Sequence, residues 1–488
     1  MDNTTLLADP TFNINGINVR QVTGRNTPSV INAVFNFRNF WDGSAQNIFN
    51  GVNPFGLRDL GAKVFQAIDR KTVQAVNIRL DNASLASQAV GPPISSVEES
   101  ATGRTFPDIG EKLTGDAKNK FPRKIGKKLR ALIPLGKQLV AYDDSVLGPY
   151  AFSSATTLKP GLNISYERLI KRAFQPKWWN SAKIVNITSS GLVSLSDSNP
   201  TQTDPTDPNP ILQPSQLAIN QFTQMDQNFA LFMGLAIQLY EATLVSDNAP
   251  IDQYFEGNTA ALSTAQLNGK AVFEGKGQCV NCHGGAEFTN ASVRNVKDQR
   301  LERMVMGDGG EAVYDNGFYN IGVRPTTDDL GLGNNDPFGH PLSESRLAKL
   351  GLFEQLLGAS PNISVSPTDR IAADGAFKNP TLRNIALTAP YFHNGGESTL
   401  QQVVEFYNRG GDFHDQNIDN LDADIQILGL TDKEKDNLVR FLSALTDRRV
   451  RFDKAPFDHP QLFIPNGHSC PASTTLAELT TIILSGYS

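Results

Sequence analysis

Residues 277–285 read "GQCVNCHGG" and hold two of the chain's three cysteines and the first of its six histidines. Two cysteines two residues apart, with histidine directly after, form the arrangement that carries covalently attached haem. The thiols make thioethers to the vinyl groups, and the adjacent imidazole is positioned as an axial iron ligand. A bare Cys-x-x-Cys also serves as half a zinc site or as a redox dithiol. Zinc needs two more Cys or His nearby, and the next histidine is His340. A redox pair has no need of the histidine. Cys279, Cys282 and His283 are therefore expected to hold one haem c.

The flanks of the motif read as helices. Ser263 with Gln266 three residues on is a capping-box signature, and Gly269 and Phe273 follow on one face before Cys279. A second capping box, Thr431 with Glu434, opens a helix with Leu438, Phe441, Leu442 and Leu445 at i, i+3, i+4 and i+7. Gly269 would let this closing helix approach the opening one closely. Opening helix, haem motif, irregular middle and closing helix are the order of a cytochrome c domain. Between them "STLQQVVEFYNRGG" reads as a helix from Ser398 or Thr399 to Gly410, with Leu400, Val403, Val404 and Tyr407 on its inner face. By helical pattern alone Tyr407 reads as core.

At 488 residues the chain exceeds what one core usually organises. Two domains are expected, 1–250 and 251–450, followed by an extension over 451–488. The first boundary lies just past a helical pattern running from Leu217 to about Val245. Strand signals are sparse, so the class reads as mainly α with long loops. Residues 195–216, rich in Ser, Thr, Asp and Pro, read as a surface loop, and 307–339 as mostly irregular. A net charge of −6 leaves no basic footprint, which argues against nucleic acid. "FALFMGLAIQLY" from Phe229 is too short and too polar to span a bilayer and reads as a buried helix. "MDNTTLLADP" has neither a basic start nor an apolar stretch, so no signal peptide is read there. Cys470 reads as an unpaired thiol.

Four stretches carry a resemblance: "GRNTPSVINAVFNFRNFWDG" (24–43), "GPPISSVEES" (91–100), "FEGKGQCVNCHGG" (273–285) and "FKNPTLRNIALTAPYFHNGG" (377–396). In that order they resemble the bacterial di-haem cytochrome c peroxidases, and within them the MauG branch, which matures a tryptophan-derived cofactor. The similarity spans residues 10 to about 465. It implies two cytochrome c-like domains with calcium between them, an N-terminal haem that meets hydrogen peroxide, and a C-terminal haem that passes electrons. Cys279, Cys282 and His283 match the electron-passing haem. The peroxidases place its sixth ligand, a methionine, 14 residues after the histidine of "PYFH"; here that histidine is His393 and the position is Tyr407. The MauG branch has tyrosine there, and a phenolate favours oxidised iron where methionine raises the potential. His340 or Met306 would be next in line as ligands.

By the same resemblance Trp41 matches the tryptophan between the two haems, where an indole can relay electrons; on composition alone it is buried core. Glu98 matches the carboxylate over the peroxide-binding haem, where O–O cleavage requires a proton to be moved; otherwise it is a solvated loop residue beside Glu99. Asn26, Thr388 and Pro390 match the calcium ligands, an amide oxygen and two backbone carbonyls. The departure is Ser44, where the family usually has arginine after "FWDG". The partners implied are peroxide and a redox protein or small electron donor, in the periplasm or outside the cell; a homodimer is left open.

The family's first Cys-x-x-Cys-His should precede "GRNTPS", yet the first 278 residues contain no cysteine and no histidine. The first domain therefore lacks its haem-attachment segment. The expectation is a piece of a longer secreted protein whose signal peptide and first haem segment lie upstream. The alternative is a mono-haem electron-transfer protein or binding module without peroxidase activity.

Overall fold

The computed structural model describes residues 13–15, 17–18, 23–100, 103–114, 133–144, 146–188, 191–197, 200–202, 213–214, 220–458 and 461–462. Cys470 and most of the 451–488 extension lie outside them. The chain forms two compact units. One comprises 1–131 with 170–458, the other 132–169 with 459–488. In the second, Val140, Leu162 and Ile164 are buried together, and residues 138–139 pair antiparallel with 461–462. Residues on both sides of position 250 fall within the first unit. Charged and polar bonds cross that position. Arg38, 2 % exposed, pairs with Asp315 at 3.0 Å, and Arg383 donates to the Ser246 carbonyl at 3.1 Å.

Five helices organise the first unit: α1 (Ser84–Ala89), α2 (Phe229–Glu241), α3 (Thr264–Glu274), α4 (Leu400–Asn408) and α5 (Asp432–Ser443). Both expected capping boxes are present, at Ser263/Gln266 and Thr431/Glu434, and a third forms at Thr399/Gln402. Each satisfies backbone N–H groups that a helix start leaves without partners. Helix α3 lies directly on α5. Phe273 packs on Phe441 with ring centroids 5.3 Å apart, in a core that also holds Leu438, Leu442 and Leu445.

The helical pattern from Leu217 resolves differently. Residues 221–223 are a strand, residues 224–227 a short helix, and α2 starts only at Phe229. Asn228 causes the break. Its side chain serves as a strand partner for Phe65, accepting from its amide at 2.9 Å and donating to its carbonyl at 2.7 Å. The first turn of α2 is buried, whereas Leu239 is 68 % exposed, so the apolar run is a half-buried helix. Among the described residues no helix is long and apolar enough to cross a membrane.

Strands are more numerous than the sequence suggested, all in small antiparallel sheets. β1 (Val64–Ala67) pairs β2 (Val73–Val76). β3 (Lys183–Ile187) is flanked by β4 (Val193–Asp197) and β5 (Gln221–Thr223). Residues 195–197, read as loop, thus belong to a strand. β6 (Leu301–Val305) and β7 (Glu311–Asp315) form a hairpin whose second strand lies inside the stretch expected to be irregular, and β8 (Phe318–Tyr319) pairs β9 (Phe377–Lys378).

Candidate functional site

Helix α3 delivers the chain to the motif. Gln278 takes a left-handed conformation, φ 56°, and Cys279–Asn281 form one tight turn, closed by the His283 amide on the Cys279 carbonyl at 2.9 Å. Both thiols and the imidazole open onto a cavity of about 210 Å³. The four inner-face residues of α4, Leu400, Val403, Val404 and Tyr407, line the same cavity, as do Leu438 and Leu442 of α5. Local helix pattern and motif therefore converge on one apolar chamber.

The electrostatics of the motif separate its readings. Burial pushes the Cys279 thiol up to about 12. Cys282 is held well above the ordinary thiol value by burial, then by Asp422, Asp424 and Cys279. Thiols that resist ionisation are poor redox nucleophiles. Among the described residues no group of three or more His, Cys, Asp or Glu converges as a metal cluster, so the pair has no zinc-site companions.

His283 is fixed for ligation. Its Nδ1 stands 3.1 Å from the Phe288 carbonyl oxygen, which puts the lone pair on Nε2, the atom a metal would take over from the Asn379 amide. Burial lowers the ring to about 4, against weaker support from the Phe288 and Pro380 backbone, so it is neutral and able to donate its lone pair. The Asn379 side-chain nitrogen lies 3.3 Å from Nδ1 and 3.2 Å from Nε2, steadying the ring. The Tyr407 phenol is packed edge-on against Phe392 and Phe406, with centroids at 6.2 and 5.2 Å. Its pKa is driven upward by burial, then by Cys282, Cys279 and Asp422. Without a cation it stays a neutral phenol; a bound metal ion inverts that preference. Two thiols, a neutral imidazole, a phenol and aliphatic walls form a donor set and cradle that fit haem c.

Trp41 also lines the cavity. Its indole Nε1–H donates to the Asn26 carbonyl at 2.7 Å, and its ring meets His393 edge-on at 6.4 Å. The position of Ser44 leaves Asp42 to another cation: Arg25 donates to it at 2.7 Å and grips Asp329 with two bonds of 2.8 Å. Asn26, Thr388 and Pro390 come together at the same edge of the cavity. As they stand, the Asn26 side-chain nitrogen donates to the Pro390 carbonyl at 2.6 Å, so a cation there requires the amide to turn its oxygen inward. Glu98 is not brought to this site; it is an exposed loop residue outside the cavity.

Sequence reasoning passed over Arg25, Lys378, Asn379 and His393 as functional residues, although all four lie inside the quoted motifs. His393 is 5 % exposed, stacks on Phe377 at 3.6 Å and faces the cavity. His340 and Met306, the expected reserve ligands, do not. His340 sits beside Asp336 at 3.7 Å, and Met306 is buried in the cluster against which Cys282 packs, off the cavity lining.

No protein-family model matches the chain. Cytochrome-c peroxidase IdrP2 of Denitromonas iodatirespirans is 34% identical over 207 residues, 42% of this chain and 46% of that protein. The methylamine utilization protein MauG of Methylorubrum extorquens is 25% identical over 226 residues, 46% of this chain and 47% of the other. The chain thus spans about half the length of the curated relatives it matches. Among solved structures, the diheme peroxidase BthA from Burkholderia thailandensis aligns over 49% of this chain and 56% of its own at 20% identity, with a TM-score of 0.31. That overlap is loose, and the kinship rests on the sequence matches and the shared motifs. Over that shared length the chain is a homologue of the bacterial di-haem cytochrome c peroxidases and MauG proteins.

Proposed function

We propose that the chain carries one haem c in this cavity, attached through Cys279 and Cys282 and ligated by His283 and Tyr407. In this reading it is the electron-passing part of a peroxidase-type oxidoreductase that uses hydrogen peroxide as oxidant. Trp41 would relay electrons toward a second, peroxide-binding haem, for which residues 1–278 offer no cysteine or histidine. The observation that carries the reading is the opening of the Cys-x-x-Cys-His motif and Tyr407 onto one apolar chamber.

Bound haem supplies an iron that cycles between oxidation states; the remaining tasks fall to the chain. The Phe288 carbonyl holds the His283 ring through Nδ1, so that Nε2 would be the ligand once the Asn379 amide beside it gives way. Tyr407 offers an oxygen donor that favours oxidised iron over reduced. The leucines and valines of α4 and α5 exclude water and so strengthen every charge interaction inside. Trp41, anchored through Asn26, stands at the cavity edge as the relay. Glu98 belongs, in this reading, to the distal side of the second haem, where it would move a proton between the peroxide oxygens. Calcium is assigned to Asn26, Thr388 and Pro390 with the amide turned. Covalent haem attachment goes with a periplasmic location, and the electron donor is a redox protein or a small molecule.

The test is direct. After expression with haem c maturation, a pyridine haemochrome assay and denatured mass spectrometry should each report one haem per chain. Two haems, or none, would overturn the assignment. A second reading is favoured by one observation, the lack of any cysteine or histidine before residue 279. In it the chain is a mono-haem electron-transfer protein, and the haem-loaded chain shuttles electrons yet never turns over peroxide, even when the missing haem segment is supplied.

A further inference from the structure

Trp41 is not the sole aromatic side chain of interest on the cavity lining. Tyr319 lines the chamber, and Cys282 packs against the cluster formed by Tyr314, Tyr319, Met306 and Ala312. The rings of Tyr319 and Tyr314 stand 5.9 Å apart, centroid to centroid, inclined at 43°. Both are more than nine-tenths buried, at 8 % and 7 % exposure. Beyond them the β6–β7 hairpin sets Glu302 directly opposite Tyr314, and the Tyr314 hydroxyl donates to the Glu302 carboxylate. Glu302 is half-buried, and its other oxygen accepts from the exposed Gln299 side chain at 2.6 Å. The series Cys282, Tyr319, Tyr314, Glu302 runs from the motif to the surface.

Packing alone does not account for this arrangement. Phenylalanine would fill either site, and a buried tyrosine needs only some partner for its hydroxyl. Tyr319 has such a neutral partner in Asn290, at 3.2 Å. Tyr314 has a carboxylate, which is a proton acceptor. Burial drives both phenols away from ionisation. A tyrosine that cannot give up its proton beforehand can yield an electron only if the proton leaves with it, to a base within hydrogen-bond reach.

We propose that Tyr319 and Tyr314 form a proton-coupled electron path linking the cavity to the surface at Glu302. The inference rests on the reading that the cavity holds haem c. A one-electron oxidant at one end of the path takes an electron from Tyr314. The O–H bond breaks, the proton passes to the Glu302 carboxylate, and a neutral phenoxyl radical remains. The radical is refilled by one electron from the other end, and Glu302 returns the proton. Tyr314 is the redox-active residue of the pair; Glu302 is its proton acceptor.

The experiment uses the haem-loaded full chain in its ferrous form, with a flash-generated ruthenium(III) tris-bipyridine complex as the external oxidant. Haem oxidation is followed by absorbance and radicals by freeze-quench electron paramagnetic resonance. The wild-type protein should give a transient neutral tyrosyl radical. Tyr314→Phe should lose it and oxidise its haem several-fold more slowly. Glu302→Gln should also slow oxidation, with haem content and ferrous spectrum unchanged. Equal rates in all three proteins, or a radical that survives Tyr314→Phe, overturn the path. A preparation without haem instead overturns the reading beneath it, which the haem assay detects separately.

Discussion

The carbonyl oxygen of Asn437 occupies the space that a side chain on residue 269 would need, and the Phe441 Cβ closes the same gap. This contact sets the separation of α3 and α5, and through them the position of the Cys279 turn relative to Leu438 and Leu442 on the cavity wall. Backbone cannot yield as a flexible side chain can. Gly269→Ala should therefore destabilise the protein by about 1–3 kcal/mol, the usual cost of overpacking. Gly24→Ala, with nothing near the new methyl group, should stay within about 0.5 kcal/mol of wild type, as surface changes do. Thermal unfolding of the two variants checks the contrast, and equal melting temperatures would refute it.

That close approach was legible in the sequence, and so were the parts of the site that depend on neighbours along the chain. Caps at Ser263 and Thr431 are local hydrogen bonds, and the inner stripe of α4 follows from its 3.6-residue period. What stayed hidden depends on partners far away. The break before Phe229 exists because Asn228 pairs with Phe65, and neither residue carries a local mark of it. The small sheets gain stability from cross-strand pairs and from burial, so a five-residue strand such as Glu311–Asp315 hides inside a Gly/Asp-rich stretch. The clamp of Asn379 on His283 and the Arg25 bridge between Asp42 and Asp329 join residues 96 and 304 positions apart. Residue types suggested them only as members of motifs.

His393 predicts a pH dependence. Burial lowers its ring to about 4, with Asp329 raising and Arg25 lowering it by lesser amounts, while an unfolded histidine titrates near 6.5. The unfolded chain therefore binds the proton first as pH falls. The stability that comes from keeping this ring neutral is complete above about 6.5 and is lost between there and about 4, amounting to a few kcal/mol. His393→Gln should flatten the stability curve across that window. Denaturant unfolding at several pH values measures it, and an unchanged slope would mean that folding does not depress the protonation of this ring.

Asn26 links two assignments. Its carbonyl anchors Trp41, while its side chain meets the Pro390 carbonyl. If calcium sits there, a chelator should lower the melting temperature by the ligand-linkage term, about 2.7 kcal/mol when calcium stands at 100 times its dissociation constant. Asn26→Leu should abolish that response and disturb the environment of the Trp41 indole. Metal analysis that finds no calcium, together with a chelator-insensitive melt, would assign the Asn26–Pro390 bond to structure alone.

Tyr407 decides between a high-potential electron carrier and a site that stabilises oxidised iron. It shares the chamber with the haem motif, its ring packed edge-on against Phe392 and Phe406. Ligation by the phenolate should give a ferric haem with a low reduction potential and no methionine-to-iron charge-transfer band. Tyr407→Met should raise the potential, because a thioether favours reduced iron. Tyr407→Phe should open the sixth position and shift the Soret band. His393, the other imidazole at the chamber, is then the side chain able to take over, since His340 and Met306 do not line it. The double variant Tyr407→Phe/His393→Gln separates the cases. A high-spin spectrum only in the double variant makes His393 the substitute ligand. A spectrum unchanged from wild type in Tyr407→Phe returns the tyrosine to core packing and leaves the chain a plain electron-transfer domain.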